Sequence, residues 1–154
     1  MASQVVLTGI VIITLKDEIT GETQTWVYKN TIVAQGRSYI RRNICQDTTQ
    51  YNGTYIGLST STTAPADSET TLPPTILGIK AYTSRGVVTD SGVEYAQWET
   101  TFGTDEGNGT IGSIGLCENS DGSGEWGRVV LGSPITKNNT QTLNVKYRIA
   151  VNSA

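Results

Sequence analysis

The side chains best suited to chemistry in this sequence are acidic residues around two glycine-rich loops. Two carboxylates on either side of a sugar form the catalytic pair of glycoside hydrolases, so this cluster could supply an acid and a base. Acids beside glycine are more often turn residues, because their side chains hydrogen-bond the local backbone. We therefore expect no enzyme activity from this group. Its members are Asp105, Glu106, Glu118, Asp121 and Glu125.

Part of the same region is similar to the beginning of a calcium-binding loop. Asn119, Asp121, Ser123 and Glu125 occupy alternate positions around two glycines. A calcium loop needs a further bidentate acid, and Val130 stands at the position where that acid would be required. The pattern therefore predicts a plain turn, and we expect no bound metal.

The chain has two cysteines, Cys45 and Cys117, and no histidine. Without histidine and without a CxxC spacing, neither a zinc site nor a histidine-based catalytic triad is expected. A disulfide between the two cysteines remains an alternative to the simpler interpretation, in which each is a small buried apolar residue. No cofactor is predicted.

Composition and charge indicate a single all-β domain that covers residues 1–154. The sequence has 17 glycines, 36% apolar residues and 16% charged residues, which is poor in helix formers and rich in turn and strand formers. The net charge is −3, without a long run of either sign, so we expect binding to neither nucleic acid nor membrane. The apolar N-terminal run ends at Lys16 and lacks the basic start of a signal peptide, which predicts a soluble, non-exported protein.

The sequence divides into three regions, each with its own predicted secondary structure. Residues 1–29 read as an N-terminal hairpin or arm, with β-branched residues at 4–15, a turn at 17–21 and a returning strand that places Trp26 on one face. Asn30 and Thr31 are predicted to start the only helix, over residues 31–45, because their side chains can cap a first turn. Its apolar positions are Ile32, Val33, Gly36, Tyr39, Ile40, Asn43 and Ile44. The basic residues of its opposite face are Arg37, Arg41 and Arg42.

The third region, residues 55–154, reads as strands joined by polar turns. Residues 55–58 open a strand that runs into a long polar loop ending near residue 71. Further strands are predicted at residues 75–89, 93–102, 108–118, 126–132 and 143–151, with Pro134 as a break. About eight strands and one short helix predict an antiparallel β-sandwich, jelly-roll-like in its closure.

Four segments, in this order and spacing, resemble a family of small tailed-phage virion proteins. They read NTIVAQG at residues 30–36, YIGLSTSTTAPADSETTL at 55–72, GNGTIGSIGL at 107–116 and WGRVVLGSPITK at 126–137. The chain departs from the family pattern at Ser59 and Ser61, where glycines are usual, and at Ser113, where an acid is usual. The resemblance covers nearly the whole chain.

The resemblance implies a virion protein that is an oligomer and has no catalytic activity. Members of the family look like capsid decoration (cement) subunits or tail-associated subunits. A decoration protein, with a trimer favoured, would bind the major capsid protein or other virion subunits on the outside of the shell. The alternative is a tail-associated or fibre component, but the sequence has no heptad or triple-helical shaft segment, which favours the capsid.

Within that hypothesis, either the N-terminal strand or the loop over residues 59–74 is expected to be the arm that reaches a partner. Large aromatic and arginine side chains are the usual anchors of interfaces, and extended loops add many small contacts. Each tryptophan is equally compatible with a place in the core. The candidate contact residues are Trp26, Arg37, Arg41, Arg42, Thr60, Thr62, Pro65, Pro73, Trp98 and Trp126.

Overall fold

The computed structural model of the protein describes residues 5–46 and 48–153. Within them, ten strands form two antiparallel five-stranded sheets, and one helix lies beside the second sheet. The elements are β1 (Val5–Asp17), β2 (Thr23–Lys29), β3 (Thr31–Ile32), α1 (Ala34–Ile44), β4 (Tyr55–Ser59), β5 (Ile76–Ala81), β6 (Ser84–Asp90), β7 (Val93–Phe102), β8 (Gly109–Cys117), β9 (Glu125–Lys137) and β10 (Gln141–Ser153). The predicted all-β sandwich with one short helix is confirmed.

The first sheet has the strand order β2-β1-β10-β7-β6, and the second has the order β3-β9-β8-β4-β5. β1 and β10, the first and last strands of the chain, pair along their whole lengths from Val5–Ser153 to Asp17–Gln141. β1 is therefore an interior strand of the first sheet, flanked on its other side by β2. Over residues 10–16 the backbone of β1 is thus paired on both edges, whereas residues 5–9 pair in a ladder only with β10.

The core lies between the sheets and follows the period-2 alternation of their strands. β10 contributes Leu143, Val145, Tyr147 and Ile149, as its alternating sequence predicted. β1 adds Val11, Ile13 and Leu15 from the same sheet, and the facing side chains come from β4, β8 and β9 of the second sheet. Burial of each large aliphatic side chain is worth about 1.5–3 kcal/mol, so this layer is the main source of stability.

The helix begins later than predicted. Thr31 and Ile32 pair with β9 as strand β3, and α1 starts at Ala34 after an N-cap residue, Val33, that makes no side-chain cap. The two predicted cap residues are used in the sheets, because the backbone N–H of Asn30 donates to the carbonyl of Gly9 and Thr31 pairs with Arg128 on β9. Sheet pairing therefore replaced the first turn of the helix.

Two strand predictions also need correction. Residues 75–89 were predicted as one strand, but the chain leaves the second sheet after Ala81 and enters the first sheet at Ser84, so β5 and β6 lie in different sheets. Pro134 was predicted to end a strand, but β9 continues to Lys137. It does so because its pairing with β8 resumes at Ile135 after an irregular stretch.

Candidate partner-contact surface

The structure places two of the three candidate tryptophans inside the protein. Trp98 and Trp126 are buried in the core and lie 5.8 Å apart, centroid to centroid. Both indole N–H groups are satisfied internally, by the backbone carbonyl of Asn52 and the carboxylate of Glu118. The two rings are therefore mostly enclosed by the fold, and their remaining surface lines an open cavity beside α1. Trp26 is half-buried and packs against the core from β2.

The loop between β4 and β5, residues 60–75, lies against the outer face of the second sheet and is held there by hydrogen bonds. Thr60 exchanges backbone and side-chain hydrogen bonds with Thr75 at 3.0 and 3.1 Å. The hydroxyl of Ser59 donates to the carbonyl of Pro73 at 2.6 Å. Thr62 is exposed and Pro65 is half-buried. The loop is thus a layer attached to the sheet, with Thr60 and Thr62 on its exposed side.

Glycines in β4 and β8 make room for this loop. A Cβ atom at Gly57 or Gly115 would lie 2.5 or 2.8 Å from the side chain of Leu72, and one at Gly112 would lie 2.5 Å from the carbonyl oxygen of Thr60. Leu72 is itself buried. The glycines that punctuate both segments in the sequence therefore mark the path of the loop across the sheet.

Arg128 is the main polar anchor of the loop, and it was not among the residues predicted from the sequence. The residue is buried on β9 and donates to both carboxylate oxygens of Glu69 and to the carbonyl of Thr63 at 2.8 Å. Paired, two-pronged contacts of this kind are the strongest that arginine makes with a carboxylate. The only available signal was an arginine next to the apolar run at residues 129–131.

Glu125 lies beneath the same loop, and neither of its buried carboxylate oxygens has a hydrogen-bond partner in the described structure. Its closest cation is Arg128, whose Nε lies 3.7 Å from Oε1. Burial, reinforced by the charge of Glu69, raises the pKa of Glu125 to about 7, and Arg128 opposes this rise. The interpretation of Glu125 as a turn residue is therefore wrong, because β9 begins at this residue and turns the side chain inward.

The remaining acids around the two loops serve local structure. Glu106 accepts from the Gly103 N–H and pairs with Lys80, and these contacts lower the pKa of its carboxyl. Asp121 accepts two bonds from Ser123, as the predicted turn requires. No group of three or more His, Cys, Asp or Glu residues in the described chain could hold a metal ion.

Both cysteines are free, so the open disulfide alternative is excluded. Cys45 is exposed at the end of α1, and Cys117 is buried in β8. Burial raises the pKa of the Cys117 thiol well above its usual range. Only Cys117 fits the interpretation of a small buried apolar residue. Across residues 5–46 and 48–153, no helix combines the length and hydropathy of a membrane span.

A row of aromatic rings holds α1 against the sandwich. Tyr39 stacks on Tyr51 with ring centroids 4.1 Å apart and lies 5.6 Å from Trp126. Gly36 allows this approach, because a Cβ at that position would overlap the carbonyl oxygen of Trp126. The first half of the helix is therefore fixed closely to β9.

The second half of the helix is flanked by two open cavities that share three apolar residues, Ile40, Ile44 and Val151. One cavity, of about 440 Å³, lies towards β6 and β7, and the other, of about 530 Å³, lies towards the start of β1. Ile44 is 76% exposed and Val151 is 62% exposed, although the periodicity placed Ile44 on the buried face. We call the two cavities together the α1 groove.

Three arginines line the α1 groove. Arg37 is paired with Asp67 at 2.9 Å and donates to the carbonyl of Ile32, so its charge also ties the 60–75 loop to the helix. Arg41 is exposed at the rim, and Arg85 on β6 bonds Asn52 on the opposite side. The described residues that line the two cavities include no acid.

The structure thus brings together some candidates and separates others. Arg37, Arg41 and nearby Arg42, which contacts Tyr51, gather beside the α1 groove. The arginines could be named from the sequence, but the groove could not, since its walls come from several elements, among them β1, β6, β7, β10 and α1. No protein-family model, curated protein or solved structure matches the chain.

Proposed function

We propose that this chain is a structural protein of a tailed-bacteriophage virion, a capsid decoration subunit that assembles on the outer shell and stabilises it. The observation that carries the proposal is the α1 groove, an open apolar surface flanked by Arg41 and Arg85. Exposed apolar patches with a polar rim are characteristic of sites that bind other proteins.

The order and spacing of the four sequence motifs support the same proposal. The two most distinctive segments, residues 55–72 and 107–116, meet in the structure, because β4 pairs with β8 and the 60–75 loop crosses both strands. Their shared task of holding this loop accounts for the two segments without any catalytic function. This supports a structural role for the segment and gives no indication of a reacting group.

A rigid sandwich suits the proposed role, since a decoration protein must resist deformation when the shell beneath it is under pressure. The strands are long, up to 13 residues in β1, β9 and β10, and the large loop at residues 60–75 is bound to the sheet. Ordered surfaces lose little conformational entropy on binding, which favours assembly.

Fractionation of virions tests the proposal. Particles would be separated into heads and tails, and the protein would be quantified in each fraction by mass spectrometry with an isotope-labelled standard. We expect the protein on heads, in hundreds of copies per particle, and expect stripped heads to lose resistance to heat or low salt. Recovery only from tails would favour the tail-associated alternative, and absence from particles would contradict any virion role.

A further inference from the structure

The turn between β1 and β2, residues 17–22, carries a single exposed apolar side chain among acids. Ile19 is 79% exposed, the highest value among the large hydrophobic residues that the structure describes as exposed. Its neighbours include three carboxylates, Asp17, Glu18 and Glu22, and one lysine, Lys16. We call residues 17–22 the hairpin tip.

The hairpin tip is held in one conformation. The Asp17 carboxylate accepts from the backbone N–H groups of Ile19 and Thr20 at 2.9 and 3.0 Å. Backbone bonds join Asp17 to Glu22 and to Gly21, and the Glu18 N–H donates to the Thr140 carbonyl. Ile19 is therefore presented on a rigid support, which lowers the entropic cost of inserting it into a partner.

The α1 groove offers the complementary features. It is apolar, with Ile40, Ile44 and Val151 shared by both cavities, and the described lining carries arginines without acids. In the tip Glu18 is paired with Lys16 at 2.9 Å, so the net negative charge beside Ile19 comes from Asp17 and Glu22. Complementary charges of this kind set the orientation of a contact and raise its rate of formation.

The tip and the groove lie at opposite ends of one strand. Val6 lines the groove at the start of β1, and Asp17 begins the tip at its end. At about 3.3 Å per residue, the two positions are roughly 35 Å apart, so one molecule cannot fill its own groove. A contact between them must join two copies, and it must be head to tail.

We infer that the hairpin tip of one copy docks into the α1 groove of the next copy, with Ile19 between Ile40 and Ile44 and the tip carboxylates facing Arg41. This inference rests on the proposed function in one respect, that the groove is an assembly contact, and it names the occupant as a second copy of the chain. A head-to-tail contact between different surfaces closes into a ring, such as the expected trimer, or extends into a filament.

The contact is small, so it is weak between free copies and gains strength when several act together in a closed ring. Sedimentation analysis at protein concentrations up to roughly 1 mM, where contacts below standard size become populated, tests it directly. We expect concentration-dependent association that weakens as salt rises from low to high ionic strength.

Three variants separate this contact from others. Ile19→Asp and Ile44→Asp should each weaken association at least about tenfold, because burial of one isoleucine is worth more than that factor. Val87→Asp is the matched control, since Val87 is 73% exposed on β6 and lies in neither surface. All three positions are exposed, so circular dichroism should show unchanged folding.

A cross-linking experiment determines the orientation. Cys45 is exposed next to Ile44, whereas Cys117 is buried. A Thr20→Cys, Cys45→Ser variant would be mixed with the unmodified chain under a mild oxidant. We expect disulfide-linked heterodimers, in which the thiol introduced at the hairpin tip is bonded to Cys45 of the unmodified chain. The same variant with Val87→Cys in place of Thr20→Cys should not cross-link.

Several outcomes would overturn the inference. These are a monomer at all concentrations, association that Ile19→Asp leaves unchanged, or cross-links only between two Cys45 residues, which would indicate a two-fold contact. Loss of virion binding in Ile44→Asp but not in Ile19→Asp would assign the groove to a different virion protein. The virion fractionation does not depend on these results, so the proposed function can stand where this contact fails.

Discussion

At the scale of single residues, the unusual feature is a buried charge cluster beneath the 60–75 loop. One arginine, Arg128, faces two carboxylates, and only Glu69 forms hydrogen bonds with it. Glu125 is left without hydrogen bonds in a site that disfavours its charged form. Such a site has two consequences that can be measured, one on pH dependence and one on the cost of removing the arginine.

The first prediction is that Glu125→Gln removes a loss of stability that the wild-type protein shows as the pH rises. The folded pKa of about 7 exceeds the usual value of 4.5, so below about pH 4.5 the carboxyl is neutral in both states and has no effect. Between these values the unfolded chain releases its proton first, and the free energy of unfolding falls by up to roughly 3 kcal/mol, at 1.4 kcal/mol per pKa unit. Above about pH 7 the carboxyl is ionised in both states, and the free energy of unfolding no longer changes because of this residue.

Urea unfolding of both proteins from pH 4 to pH 8 would check this. Other carboxyls, such as Asp90 beside Arg148, have lowered pKa values and give the opposite slope in both proteins, because their stabilisation is lost as pH falls. The difference between wild type and variant isolates Glu125. A difference that does not change with pH would contradict the expected role of burial.

The second prediction concerns Arg128→Met. The substitution keeps an apolar stem but leaves Glu69 and Glu125 without their cation, and breaking one partner of a buried pair costs about 3–5 kcal/mol. The free energy of unfolding should fall by that amount, and the 60–75 loop should become sensitive to protease. Arg41→Met, at an exposed residue, is the control and should change stability by less than about 0.5 kcal/mol. Equal protease resistance in both variants would show that Arg128 does not hold the loop.

At the scale of elements, the 60–75 loop packs closely on the second sheet because glycines in the sheet carry no side chains beneath it. Gly57, Gly112 and Gly115 would each place a Cβ closer than 3.0 Å to the loop. Leu72 fills the space that Gly57 and Gly115 leave. The segment is therefore a third layer on the second sheet, and the helix is a similar addition that rests on Gly36 and Trp126.

The third prediction is that Gly115→Ala destabilises the protein. The added Cβ would lie 2.8 Å from the end of the Leu72 side chain and 3.4 Å from the Gly127 carbonyl oxygen, so the buried Leu72 side chain must shift. Overpacking of this kind costs about 1–3 kcal/mol, measurable by thermal or urea unfolding. Gly132→Ala, with no atom within 4 Å of the added Cβ, should be nearly neutral.

A second substitution tests the assigned cause. Leu72→Ala alone should destabilise the protein, but added to Gly115→Ala it should recover part of the loss, because the two changes share one contact. Fully additive effects would mean that the strain at Gly115 arises elsewhere, for example against the backbone of Gly127.

At the scale of the whole molecule, pairing of the two chain ends closes the fold. β1 and β10 form a 13-residue ladder, and three further ladders, β7–β10, β3–β9 and β4–β8, also join segments that are far apart in the chain. Residues 5–17 cannot be completed as an interior strand until residues 141–153 are present. The sandwich is therefore expected to fold as one cooperative unit after its last strand is available.

The fourth prediction is slow, cooperative folding. Proteins dominated by pairings between distant residues fold in about milliseconds to seconds, because the entropy of closing long loops is lost before the contacts form. Stopped-flow refolding followed by tryptophan fluorescence would measure this, since Trp98 and Trp126 are buried. Folding on a microsecond timescale, or separate unfolding of the two sheets, would contradict it.

The sequence by itself determined the strands, the sandwich and most of the core. Alternation in β10 predicted the burial of Leu143, Val145, Tyr147 and Ile149 but was wrong for Val151, which is exposed, and for Ala150, which is buried. The glycine-bearing turn after residue 17 predicted the first hairpin, because side-chain periodicity and turn chemistry are local properties. The helix start was wrong, since distant sheet pairing of Thr31 and Ile32 outweighed a local capping signal.

Only the tertiary structure decided which surfaces are available for binding. It buried Trp98 and Trp126, attached the 60–75 loop to the sheet through Arg128, and left Ile44 exposed beside Val151. Each outcome depends on contacts between residues far apart in the chain, which no local pattern encodes. The same reason explains why the α1 groove, with walls from several elements, could not be predicted from the sequence, whereas its arginines could be named.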